Sequence, residues 1–317
     1  MKINIIANNN GVGLTRDIKI VTDLLMSVGH QCSYMFIYTP PPLNNPKSKA
    51  DVNVFFELMN PAHLSLAPIN LCIPNPEWFP QILTKFVPKI DLFLIKTQHA
   101  REIFEKYGGK TQFIGFTSED RFLPQVEKRD DKFFHLAGKS IQKSTDLVIS
   151  TWENNPDLPQ LIILQDMTKR RTRKVVNNIR YIYNHLSDDE LKLLQNTCGV
   201  HVCPSESEGF GHYIMEALSC KSLTITTNAP PMNELVMPDR GILCPYVRAA
   251  QKNFNHQPWL TMNYYVSERT LKESVVKAIS LSPEEKLAMR NNARTYFEDN
   301  DKTFKDKFVQ TIKGTIG

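Results

Sequence analysis

Apolar positions along the chain fall into short runs separated by glycine turns and polar loops, and their period alternates between strand and helix. Lys2–Ala7 reads as a buried strand, followed by the turn Asn8–Gly13. Ile18, Val21, Leu24, Leu25 and Val28 then recur at three- and four-residue spacing, which predicts a helix closed by Gly29. A second strand is expected over Cys32–Tyr38. Strand, glycine turn, helix and strand open a parallel α/β sheet. Val52–Phe56, Ile69–Ile73, Leu92–Lys96 and Gln112–Phe116 read as further strands, with a helix over His99–Tyr107 ended by Gly108 and Gly109.

The stretch Thr117–Lys132 turns polar and reads as a linker, after which the pattern restarts. A strand is expected at Phe133–Ala137, then Gly138-Lys139 and a helix to about Asn154. Strands follow at Leu161–Leu164, Ile179–Tyr183, Val200–Cys203 and Ser222–Thr226, and helices at Gly211–Cys220 and Met232–Val236, with Lys- and Glu-rich helices at the end. The fold class is α/β, in two consecutive Rossmann-like halves. The expected division is an N-terminal domain over 1–120, a linker over 121–132, a second domain over 133–297, and a C-terminal helix over 298–317 returning to the first domain. Two such sheets facing each other imply a cleft, where ligands bind at the carboxyl ends of the strands.

Composition narrows the class. With 317 residues there is room for two cores. Hydrophobic content of 41% and charged content of 22% are globular values. The longest apolar runs fall far short of the roughly 20 residues of a membrane span, and the alternating start is unlike a secretory signal. The six cysteines, Cys32, Cys72, Cys198, Cys203, Cys220 and Cys244, form no C-x-x-C pair and no zinc spacing. Scattered free thiols suit a cytoplasmic protein. A net charge of +5 fits anionic small molecules or a membrane surface and does not argue for nucleic acid.

The segment Pro204-Ser205-Glu206-Ser207-Glu208-Gly209-Phe210-Gly211-His212-Tyr213-Ile214-Met215-Glu216-Ala217 leaves an apolar strand and opens a helix. Gly209 and Gly211 let the backbone approach a ligand closely. The amides and positive dipole end of a helix start favour an anion such as a diphosphate. Glu208 and Glu216 would lie roughly 12 Å apart if the intervening residues are largely helical. That span matches the two ends of an extended nucleotide sugar, whose hydroxyls suit carboxylates as strong acceptors. Two glutamates alone would read more readily as a helix cap and a surface acid. The glycines and the preceding strand favour a ligand.

Glu208 to Glu216 is the E-x7-E signature of retaining GT-B glycosyltransferases, and the chain resembles glycosyltransferase family 4. Pro-Ser-x-x-Glu-Gly-Phe-Gly followed by Glu-Ala-Leu-Ser-Cys carries the likeness. It continues through Thr224–Asn228, Glu234, Gly241-Ile242-Leu243 and Asn292-Ala293-Arg294, with Phe113-Ile114-Gly115-Phe116 and Asp120 upstream. The resemblance implies GT-B architecture, two Rossmann-like domains facing each other across a cleft. It implies that Glu208 contacts the transferred sugar, Glu216 the ribose, and the amides of Gly209, Phe210 and Gly211 the sugar and phosphates. Lys139 and Lys143 align with a basic pair that neutralises the diphosphate, usually arginine then lysine. Lysine lacks arginine's bidentate geometry. Tyr183 would neighbour the nucleobase. Gly11 and Gly13 would face the cleft on the donor side, although no third glycine completes a dinucleotide fingerprint.

The reaction implied is transfer of a sugar from a nucleotide-diphosphate sugar to an acceptor hydroxyl of a glycan, glycolipid or small molecule, with anomeric configuration retained. Lys139, Lys143 and the helix amides would stabilise charge developing on the diphosphate, and the leaving phosphate would help take the acceptor proton. No cofactor or metal is expected; Asp130-Asp131 and Asp188-Asp189-Glu190 read as solvated acids and helix caps. Asn75, Glu77 and Trp78, presented by two prolines, are candidates for acceptor binding, a tryptophan face being suited to a sugar ring. The basic run Lys169–Lys174 reads as a solvated loop or as a peripheral contact with anionic lipid. Two other readings are a non-catalytic sugar- or nucleotide-binding protein of the same fold and a sugar-nucleotide epimerase. For the transferase, Glu208→Ala and Glu216→Ala are each expected to lower transfer by about tenfold or more with unfolding temperature nearly unchanged.

Overall fold

Short apolar runs with glycine-punctuated ends become parallel strands, as the pattern predicts. The computed structural model describes residues 1–8, 11, 13–40, 50–169, 174–254 and 257–316. The chain divides into two units, Met1–Ser118 with Gln251–Met262 and Asn300–Gly317, and Glu119–Ala250 with Asn263–Asp299.

Unit 1 is built on β1 (Lys2–Ala7), α1 (Gly13–Ser27), β2 (Gln31–Phe36), β3 (Val52–Glu57), β4 (Ile69–Pro74), β5 (Leu92–Ile95), α2 (Gln98–Lys106) and β6 (Thr111–Phe113). The strands lie parallel in the order β2-β1-β3-β4-β5-β6. Five of the six β1 residues are buried, as a strand covered on both faces requires. Ile6, Phe55, Cys72, Phe79, Phe93 and Phe104 form its core. Thr97 caps α2 by accepting from the Ala100 amide at 3.1 Å. β6 stops at Phe113, three residues before the expected end.

Unit 2 contains β7 (Arg129–Gly138), α3 (Thr145–Glu153), β8 (Gln160–Gln165), β9 (Ile179–Ile182), α4 (Asp188–Thr197), β10 (Cys198–Cys203), α5 (His212–Ser219), β11 (Leu223–Thr227), α6 (Met232–Leu235) and β12 (Gly241–Cys244). Its parallel order is β12-β11-β10-β7-β8-β9. Phe133, Trp152, Leu161, Val200, Leu223 and Leu271 pack in its core. β7 begins at Arg129, four residues ahead of the expected Phe133, so Asp130 and Asp131 lie on a strand. The helix expected from Lys139 starts only at Thr145, because Gly138 and Ser144 both adopt left-handed φ angles of 56° and 49°.

Beyond the expected elements is a two-stranded ribbon of β13 (Tyr246–Phe254) and β14 (Gln257–Val266). Its inner residues belong to unit 2, and Gln251–Met262 belong to unit 1. There Trp259 meets Trp78 edge to face at 5.6 Å, and the Leu260 amide donates to the Phe79 carbonyl at 3.2 Å. α7 (Glu268–Ser280) starts from a capping box of Ser267 and Thr270. α8 (Pro283–Ile316) ends the chain. Within unit 2 Arg294 of α8 grips the Asp120 carboxylate at 2.6 and 2.8 Å. Within unit 1 Asn300 donates to the Phe116 carbonyl at 2.5 Å, and Phe304 packs 4.8 Å from the Phe116 ring. All six cysteines are free, and no helix among the described residues is long and apolar enough to cross a membrane.

Candidate functional site

β8, β7 and β10 are neighbours in the second sheet, so the loops leaving their carboxyl ends gather along one edge. Lys139 follows the left-handed Gly138 and is largely exposed, with Nζ 3.6 Å from the Asp166 carboxylate beyond β8. Lys143 is partly buried. Its Nζ donates to the Leu136 carbonyl at 2.8 Å and lies 4.1 Å from the centre of the Tyr213 ring. The side-chain cation is thereby fixed over an aromatic face.

β10 delivers the turn Pro204–Gly211. Ser205 is fully buried, donates to Glu208 Oε1 at 2.6 Å, and hydrogen-bonds the Tyr213 phenol. Burial, with Cys203 and Glu208 nearby, pushes the Tyr213 phenol well above its usual range, so it stays protonated. Gly211 starts α5 with φ of 108°; a Cβ there would lie 3.2 Å from the Ile214 and Leu235 side chains. A glycine is required by this backbone, and no capping side chain bonds the helix start. The Glu206 amide donates to the Gln142 carbonyl at 2.8 Å, tying this turn to the loop after β7.

Beside that tie is a cavity of about 330 Å³, walled by Ser140, Thr145, Gln165, Lys169, Glu206 and Tyr265. The amino end of α3 contributes to it. Buried His135 braces this wall, its ring between the Val202 carbonyl at 2.7 Å and Thr145 Oγ1 at 2.9 Å. Burial lowers its pKa to about 4, so it is neutral and structural near pH 7. Glu206 accepts from Asn263 Nδ2 at 3.2 Å, and Tyr265 carries the Arg248 guanidinium 4.1 Å over its ring. Glu206, Lys169, Tyr265 and Tyr213 were absent from the candidate site drawn from sequence. The aromatic and β-branched run Tyr264-Tyr265-Val266 was the available signal for the ribbon wall.

The structure carries Glu208, Gly209, Phe210 and Gly211 on one turn and sets Lys143 beside it over the Tyr213 ring, while Lys139 stands past β7 near Asp166. Glu216 follows within α5. That carboxylate is fully buried and accepts from Gln195 Nε2 at 2.9 Å, while Gln195 Oε1 accepts from buried Arg121 Nε at 3.0 Å. The expectation that Glu216 can be removed without loss of stability is therefore corrected, because its partners would be left unpaired inside the protein. Tyr183 stands just past β9 with its ring parallel to that of Tyr181, centroids 5.7 Å apart. Gly11, with φ of 72°, and Gly13 at the start of α1 belong to unit 1.

In unit 1 the prolines do not present Asn75 and Glu77 to solvent as expected; both are buried, and only Trp78 is partly exposed. The ribbon packs on this loop, with Lys252 Nζ donating to the Glu77 carbonyl at 2.6 Å and Trp259 edge to face with Trp78. Residues 170–173 of the basic run lie outside the described residues, whereas Lys169 lines the cavity. The acidic clusters serve as expected of caps and surface acids. Ser187 and Glu190 form a capping box at α4, Asp130 pairs with Arg290, and Asp131 with Arg129 at 2.8 Å. Among the described residues no group of three or more His, Cys, Asp or Glu side chains is placed to hold a metal ion.

Residues 165–253 match the model of the family Glycosyl transferases group 1. No curated protein sequence matches the chain. Among solved structures, the sucrose-phosphate synthase of Thermosynechococcus elongatus is similar at a TM-score of 0.73 and 12% identity, covering 99% of each chain. A glycosyltransferase of Rickettsia africae gives 0.72 and 13% identity, covering 99% of this chain and 98% of that one. Anabaena HepE, crystallised with UDP and glucose, gives 0.67 and 14% identity, covering 99% of this chain and 100% of that one. The chain thus has the fold of the GT-B glycosyltransferases, with a glycosyl transferases group 1 segment over residues 165–253.

Proposed function

We propose that the protein is a retaining glycosyltransferase of the family 4 type that moves a sugar from a nucleotide-diphosphate sugar to an acceptor hydroxyl. The observation that carries this reading is the turn between β10 and α5, where Ser205 holds Glu208 and also engages Tyr213, the ring over which Lys143 is fixed. The family match spans this turn, and HepE was crystallised with UDP and glucose, which supports a nucleoside-diphosphate sugar as donor.

In this reading the amides at the start of α5 and the ammonium groups of Lys139 and Lys143 meet the diphosphate. Glu208 accepts from hydroxyls of the transferred sugar. As the bond from the anomeric carbon to the phosphate oxygen breaks, negative charge grows on the diphosphate, which the lysines stabilise. The acceptor oxygen bonds to the same face of the anomeric carbon, and its proton leaves on the departing phosphate. The charge is carried by lysines and amides, so transfer is expected to proceed without a metal ion.

Nucleotide release, measured with and without candidate acceptors and in the presence of a chelator, tests the proposal. Acceptor-dependent release that survives chelation, with an anomeric configuration unchanged by NMR, supports it. Binding without turnover would favour a non-catalytic binding protein, and an altered free nucleotide sugar an epimerase.

A further inference from the structure

The loop after β7 serves two places in unit 2. Gly138 and Ser144 bound it with left-handed φ angles of 56° and 49°, a conformation uncommon for serine. Lys143 turns to the Leu136 carbonyl and the Tyr213 ring, beside the β10–α5 turn. Ser140 and Ser144 instead line the cavity of about 330 Å³. None of Lys139, Lys143, Glu208 or Gly209–Gly211 lines that cavity.

The cavity wall carries an unanswered amide. Gln165, the last residue of β8, is only 8% exposed, and its side chain has no hydrogen-bond partner among the described residues. A buried amide left unpaired is costly and uncommon. Lys169, partly buried on the same wall, has no ion pair among them either. The nine-residue helix α3 starts here, and Ser144 before it makes no side-chain cap. His135 Nδ1 faces the Val202 carbonyl and so carries the ring proton, which obliges the Thr145 hydroxyl to donate to Nε2. The Thr145 oxygen is then left to act as an acceptor. Asp146 and Glu206 add two carboxylates to the wall.

We propose that this cavity is a second binding site, for a sugar monophosphate, separate from the site of the nucleotide sugar. Size sets the scale. About 330 Å³ lies at the small end of the roughly 300–1,000 Å³ of ligand pockets, enough for one phosphorylated ring and too little for a nucleotide sugar. Charge and hydrogen bonding decide the class. The phosphate meets the Lys169 ammonium and the amino end of α3. The hydroxyls donate to Asp146, Glu206 and the Thr145 oxygen, and the Gln165 amide both donates to them and accepts from them. Inorganic phosphate would face the two carboxylates with no hydroxyls to answer them. A neutral sugar would leave Lys169 unanswered, and an amino sugar would be repelled by it.

The test is calorimetric titration of the full chain, with and without saturating UDP. The probes are glucose 6-phosphate, fructose 6-phosphate and mannose 6-phosphate, against inorganic phosphate, glucose and glucosamine. At least one sugar phosphate is expected to bind equally well in the presence of UDP, and more tightly than inorganic phosphate, glucose or glucosamine. Lys169→Met should weaken it by about tenfold and Gln165→Leu by about fivefold. Unfolding temperature checks that each variant is folded, and Lys169→Met, outside the core, keeps the test readable if Gln165→Leu does not fold. Absence of sugar-phosphate binding, equal or tighter binding of inorganic phosphate, glucose or glucosamine, or unchanged binding by folded variants would overturn the proposal. So would displacement of the sugar phosphate by UDP, which would make the cavity part of the donor site. Failure of UDP itself to bind would count against the transferase reading alone, since the sugar-phosphate titration and its variants are read without it.

Discussion

Ser205 donates to Glu208 Oε1 at 2.6 Å while the same hydroxyl engages the Tyr213 phenol. The carboxylate is thus aimed before any ligand arrives, and one of its oxygens is already committed. Ser205→Ala is expected to lower turnover by about tenfold with a smaller change in donor affinity, because the aim rather than the charge is lost. Glu208→Gln keeps the shape and loses the charge, and its turnover should fall further. Steady-state kinetics with a nucleotide-sugar donor separates the two.

Lys143 is held at two points, the Leu136 carbonyl and the Tyr213 ring. Exposed Lys139 lies 3.6 Å from Asp166. A pre-placed cation loses less freedom on meeting a phosphate. Lys143→Met should therefore weaken nucleoside-diphosphate binding by about tenfold, and Lys139→Met by less, with the smaller effect shrinking faster as salt is raised. Calorimetric titration at two ionic strengths checks both.

Glu216 carries a different expectation from Glu208. Its removal leaves Gln195 Nε2 unpaired in the interior, so Glu216→Ala should cost about 1–3 kcal/mol of stability. Glu216→Gln, which can still accept from Gln195, should recover most of it. Chemical denaturation of the two variants gives the comparison, and an unchanged midpoint for Glu216→Ala would refute the buried role.

Burial raises the Glu57 carboxyl to about 7, against the opposing pull of the Asn75 hydrogen bond and Lys96; Asp17 adds to the rise, and Lys252 opposes it. The folded protein then holds this proton more tightly than the unfolded chain does. Between about 4.5 and 7 the folded state binds more protons, so this group's contribution to stability falls as pH rises through that window. Glu57→Gln should flatten the decline, measured as unfolding midpoint against pH.

The parallel sheets and the β10–α5 turn were legible because each rests on residues close in sequence. Strand runs, Gly211 and the Glu208 neighbourhood all announce themselves within a few positions. The stability role of Glu216 was not legible because its environment comes from Gln195 and Arg121, which no local pattern links to it. Asn75 and Glu77 were misread for the same reason: Lys252 reaches Glu77 across 175 positions. Tyr265 and Lys169 went unseen because cavity walls are assembled from several loops, and period alone does not say which loops meet.

Titration of the full chain with UDP and UDP-glucose, together with GDP- and ADP-sugars, tests the central claim most directly. The account predicts that one nucleotide sugar binds, that Lys143→Met weakens both it and its free nucleotide, and that Glu208→Gln weakens the sugar form selectively. Binding that is absent across the panel, or that is unmoved by either substitution, would contradict the assignment of the β10–α5 turn as the donor site.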